Sequence, residues 1–149
     1  MKSISAVALL FVVLNTLPNA AAAADQKARF AKFEKAMSGV RLTGFFTMAG
    51  RVAAPAKEEY NIISVKKVGD GDFWLFRARM GRKGRVIPMP LPVKWLGDTP
   101  VISMEKLTIP GLGTFSAHVV LDGDQYAGTW THGPARGHLY GAIERVKQP

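Results

Sequence analysis

The densest group of chemically capable side chains stands near the end of the chain. Tyr126, Trp130, His132, His138, Tyr140 and Glu144 are interleaved there with Gly128, Gly133, Gly137 and Gly141. Two imidazoles so close together begin a zinc or copper site, because imidazole nitrogen ligates both metals. Asp124 and Glu144 are the acidic candidates for a third ligand, and neither has a ligand's spacing, so no metal is expected. His118 alternates with Ser116 and Val120, out of phase with the apolar row Phe115, Ala117, Val119 and Leu121, and should face solvent. Gly69-Asp70-Gly71-Asp72 and Asp122-Gly123-Asp124 look like calcium loops. Calcium needs about six or more oxygens, and an EF-hand loop carries a glutamate at its twelfth position. Neither segment has one, and Asp-Gly is an ordinary hairpin turn.

Catalytic patterns are missing as well. No serine sits in a nucleophile elbow and no glycine-rich phosphate loop occurs. Glu58 and Glu59 are adjacent, which on a strand sends them to opposite faces. The chain has no cysteine, which excludes thiol catalysis, thiolate metal sites and a lipoprotein anchor. The expectation is therefore a non-enzymatic protein with no catalytic residues and no cofactor. What remains is binding. Tyr126, Gly128, Trp130 and His132 share strand parity, and Leu139, Gly141 and Ile143 form an apolar row on the next strand. With Trp95, the side chains Tyr126, Trp130 and His132 make up the candidate ligand-contacting set.

Arg77, Arg79, Arg82, Lys83 and Arg85 surround one hairpin, with Lys66 and Lys67 just before it. Arginine forks grip phosphate, sulfate and carboxylate, so this face suits an anionic glycan or lipopolysaccharide. The formal charge of +9 points the same way, although a solvated basic face has the same composition.

These residues must be positioned by a chain that begins with an export signal. Lys2 precedes the apolar run Ile4 to Leu14, then Asn15 to Asn19 is polar and carries Pro18, and Ala20 to Ala24 follows. Charged start, apolar centre and small-residue site form a secretory signal peptide spanning 1–24, cut after the Ala22-x-Ala24 pair. The apolar run is too short to cross a bilayer of ~30 Å. Residues 25–149 then make a single domain, exported to the periplasm or beyond, where nucleic acid is not an expected partner.

Asp25 to Met37 reads as the only helix, with Phe30, Phe33 and Met37 on one face as a plug for the core. From Val40 the period becomes two. Eight short strands, separated by glycine-rich turns, predict a mainly β domain: an antiparallel up-and-down meander closed into a barrel or partly open barrel. In one strand Pro88, Pro90 and Pro92 alternate, removing three amide protons from the same lateral side. Ile87, Met89, Leu91, Val93 and Trp95 then face inward. The segment is expected to pair on one side only, with the barrel open or interrupted beside it.

The Gly128-Thr129-Trp130 segment resembles the short signature of lipocalin- and avidin-like (calycin) barrels, where a tryptophan closes one end of the cavity. In lipocalins it lies on the first strand, and here on the second-last. The Gly-Asp-Gly-Asp-Phe-Trp run at 69–74 and Gly-Thr-Trp-Thr-His-Gly at 128–133 resemble small exported bacterial proteins of uncharacterised function, which implies no activity. The resulting expectation is a binding or envelope-associated β-domain for an anionic polymer. The alternatives are a lipocalin-like carrier of a small apolar ligand, lined by Tyr126, Trp130 and the inward row of the proline strand, and a site built on His132 and His138. N-terminal sequencing of protein recovered from outside the cytoplasm should begin at Asp25 or within a few residues of it; material still carrying residues 1–24 would defeat the leader assignment.

Overall fold

Apolar residues at every second position need a sheet with one buried face, and turns at short intervals fold such a sheet back on itself. The computed structural model describes residues 20–80 and 84–146. It contains one helix, α1 (Ala20–Met37), and the strands β1 (Val40–Phe46), β2 (Ala56–Lys67), β3 (Phe73–Met80), β4 (Val86–Leu96), β5 (Thr99–Ile109), β6 (Gly113–Asp122), β7 (Gln125–His132) and β8 (Ala135–Arg145). Each strand pairs antiparallel with its neighbour in sequence, and β1 pairs with β8 to close the barrel. The expected eight-stranded meander is the observed fold. Residues 1–19, Arg82 and Lys83 lie outside the described residues, and Ala20 to Ala24 form the first turns of α1.

The inward rows follow strand parity. Trp74, Phe76 and Ala78 of β3, Met89, Leu91 and Val93 of β4, and Ala117, Val119 and Leu121 of β6 are all buried. On β2 a bulge between Ile62 and Ser64 shifts the register, so Ile62 and Val65 both point inward although they differ in parity. Ile63, the extra residue, is exposed.

The helix closes one end of the barrel, the end carrying the β2–β3, β4–β5 and β6–β7 turns. Phe33 and Met37 are buried there. Phe33 meets Trp74 edge-on at 4.9 Å and Trp95 at 5.5 Å, while Phe30 meets Trp74 edge-on at 5.1 Å and stacks on Trp95 at 5.9 Å. Edge-to-face pairs set the positive rim of one ring against the negative face of another, which adds to the area they bury. Polar groups fix the helix in place. Glu34 accepts from the Lys67 amide at 2.7 Å and from Lys66 Nζ at 3.3 Å. Gly39 ends the helix in a left-handed conformation with φ 69°, and the Arg145 guanidinium donates to the carbonyls of Lys35, Ala36 and Ser38.

The proline strand corrects one expectation. Over Val86–Pro92 it pairs only with β3, and the Val93 amide donates to Asp72 O at 2.9 Å, so the prolines turn their missing donors toward β5. This much was expected. However, Val93–Leu96 pairs with Thr99–Ile102 of β5, so the barrel is closed rather than open. The prolines shorten that ladder without abolishing it.

Trp74, fully buried against two phenylalanines, should be a principal support of the fold. Trp74→Ala is expected to lower stability by about 3–5 kcal/mol in urea melts. Trp74→Phe should cost much less, because the Trp74 indole N–H is buried without a partner and its loss removes no bond.

Candidate functional site

With α1 filling one end, the remaining interior space lies toward the other. A cavity of about 330 Å³ extends from Met37, at the foot of the helix, to Phe46, Met80, Ile109, Phe115 and Trp130 near the far rim. Its wall is almost wholly apolar and includes Met37, Met80, Met89 and Met104. Among the described lining residues Glu58 is the one charged side chain.

Glu58 is held by two tyrosines. The Tyr126 hydroxyl donates to Glu58 Oε1 at 2.7 Å, and the Tyr60 hydroxyl donates to Oε2 at 2.9 Å. Tyr60 reaches it because residues 58, 60 and 62 share the inward face of β2. Tyr126 comes from much further round the wall. Glu58 lies opposite Gly44 on β1, Gly44 opposite Gly141 on β8, and Gly141 opposite Tyr126 on β7. The phenol crosses two glycines to reach the carboxylate. A Cβ on Gly44 would lie 2.5 Å from the Tyr126 hydroxyl, and one on Gly141 would strike the Thr43 backbone. Both positions must lack a side chain.

The electrostatics follow from this burial. Removal from water pushes the Glu58 carboxyl above its ordinary value, and the bonds from Tyr126 and Tyr60 pull it partly back. Burial, reinforced by the adjacent Glu58 charge and hydrogen bond, holds both tyrosines well above the usual phenol range. The tyrosines therefore stay protonated as donors.

The structure brings Tyr126 and Trp130 together at the cavity and places Trp95 and His132 elsewhere. Trp95 lies beneath α1 at the closed end, with the Arg29 guanidinium 4.8 Å from its ring centre. His132 is exposed and stacks on Phe115 at 4.3 Å. Trp130 is half-buried and lines the cavity; its Nε1 is buried without a partner. His132 pairs in register with Ala135 and His138 with Thr129, which sets the two imidazoles on opposite faces of the sheet. No cluster of three or more metal-ligating side chains occurs among the described residues. His118 is exposed as expected, within 3.2 Å of Ser103 Oγ and 2.8 Å of Glu105. Arg77 and Arg85 are exposed, and Arg79 lies half-buried on the outer face of β3.

Sequence reasoning missed Glu58 and Tyr60. The available signal was parity: Glu58, Tyr60 and Ile62 alternate along one face, which sends a carboxylate inward. Comparison of the chain with protein-family models, curated proteins and solved structures gives no match. The closed eight-stranded antiparallel barrel is compatible with a calycin-like fold.

Because folding raises the Glu58 pKa, the native state binds more protons than the unfolded chain as pH rises past the ordinary carboxyl value of 4.5. The contribution of Glu58 to stability is thus fullest below that value and falls as pH climbs through the folded one. Urea melts should show Glu58→Gln gaining on the native protein across that window. Tyr126→Phe, which removes a donor to the carboxylate, should shift the window to higher pH. A constant difference between native and Glu58→Gln proteins at all pH values would contradict the assignment.

Proposed function

We propose that this barrel is an exported, non-enzymatic carrier of a small, largely apolar molecule, bound in the cavity between α1 and the far rim. The observation that carries this reading is the cavity itself, about 330 Å³ with an apolar wall and one polar cluster. Ligand sites have this composition, with apolar surface for affinity and a few placed polar groups for orientation, and volumes of about 300–1,000 Å³. Empty apolar space destabilises a fold in proportion to its volume, so a chain selected for stability alone would fill it. The four wall methionines are flexible and polarisable, which suits a pocket that adapts to its guest. The carrier reading also agrees with the resemblance of Gly128-Thr129-Trp130 to lipocalin-like barrels. The basic outer face around Arg77, Arg79 and Arg85 is separate from the cavity and would serve attraction to anionic envelope components.

Ala117 is buried and faces the cavity, so a larger side chain there would occupy ligand space. The native protein should bind an uncharged naphthalene-sized fluorophore saturably at one site. Ala117→Phe should abolish that binding while circular dichroism and the melting curve still report a folded barrel. Equal binding by the native and filled proteins would place the probe elsewhere and overturn the proposal.

A further inference from the structure

We infer that the guest of this cavity is an apolar amine whose protonated nitrogen pairs with the Glu58 carboxylate. This rests on the carrier reading above and specifies its ligand. Both oxygens of Glu58 already accept from tyrosine hydroxyls, Tyr126 at 2.7 Å and Tyr60 at 2.9 Å. A carboxylate has about four lone-pair sites, so two remain, and they can only accept. No lysine, arginine or histidine is among the described lining residues, so the wall supplies no countercharge. An anionic guest would meet like charge with nothing to offset it. An ammonium group would complete the pair, and Phe46, Phe115 and Trp130 offer the aromatic faces that attract a cation. The tyrosines also fix the carboxylate before the guest arrives, which lowers the ordering cost of binding.

The titratable groups facing Glu58 are Tyr60 from its own strand and Tyr126 from β7, while β1 and β8 present Gly44 and Gly141. Since both tyrosines stay protonated, Glu58 should set the acid side of the pH dependence of amine binding, and the amine's own deprotonation the alkaline side. Affinity should fall as acid neutralises Glu58.

The test compares four naphthalenes at pH 8 by calorimetry: 1-methylnaphthalene, 1-naphthylmethanol, 1-naphthylmethylamine and 1-naphthoic acid. The amine should bind about tenfold or more tightly than the hydrocarbon and the alcohol, as for a charge-assisted hydrogen bond, and the acid most weakly. Glu58→Gln should bring the amine down to the alcohol and leave the hydrocarbon unchanged; Tyr126→Phe, a milder change, should reduce the amine's advantage. Binding of hydrocarbon and alcohol with no preference for the amine would overturn this inference and leave the carrier standing. Tightest binding by the acid would overturn it too, making Glu58 a protonated donor. Failure of all four to bind would overturn both.

Discussion

The barrel depends on the aromatic packing of Phe30 and Phe33 against Trp74 and Trp95. A cysteine-free domain has no covalent brace, and eight short strands alone would enclose more space than their side chains fill. Docking α1 concentrates the largest rings at one end and makes that end solid. The Glu34 bonds to β2 and the Arg145 bonds to the helix C-terminus then fix the axial position of the plug. Beyond the plug the interior keeps a void, walled by methionines and aliphatics, with Phe46, Phe115 and Trp130 toward the far rim. The packed plug and the cavity occupy opposite halves of the same interior.

The Glu58 cluster places polar groups where the wall is otherwise apolar. A barrel built only for stability would keep a carboxyl out of such a space, since half-burial disfavours its charge. Here Tyr126 is brought across Gly141 and Gly44, two positions that sacrifice strand propensity and side-chain packing so that the phenol can pass. Four strands thus contribute either a polar group or an absence to one hydrogen bond. That convergence is hard to explain as packing, and it fits a group held ready for something that enters.

Much of the architecture was legible in the chain. Period-two alternation located all eight strands, and the spacing of Phe30, Phe33 and Met37 identified the plug. The prolines correctly announced a strand with one full ladder. What failed to show was how far a partial ladder can still close a ring, because Val93–Leu96 carries ordinary donors beyond the last proline. The site was less readable. Trp95 and Trp130 look equivalent in sequence, yet strand direction sends one to the plug and the other to the cavity. Adjacency of Glu58 and Glu59 correctly implied opposite faces but drew attention away from which one faced inward. The bulge at Ile63 also breaks the alternation that would have connected Glu58 and Tyr60 with the core beyond them.

The short β4–β5 ladder gives the ring an uneven circumference. The ends of the chain are joined along the whole of β1, Val40–Phe46 against Leu139–Arg145, and that pairing continues through the Thr47 and Ala49 amides to His138 and Arg136. The middle of the chain is joined only from Val93 to Leu96. Topologically the molecule is held more firmly across its termini than across its centre. Breaking the backbone at the Gly97-Asp98 turn and linking the old ends would therefore move the new termini to the weakest seam and leave the strongest one continuous. A circular order starting at β5 is, in ladder terms, the more natural way to write this barrel.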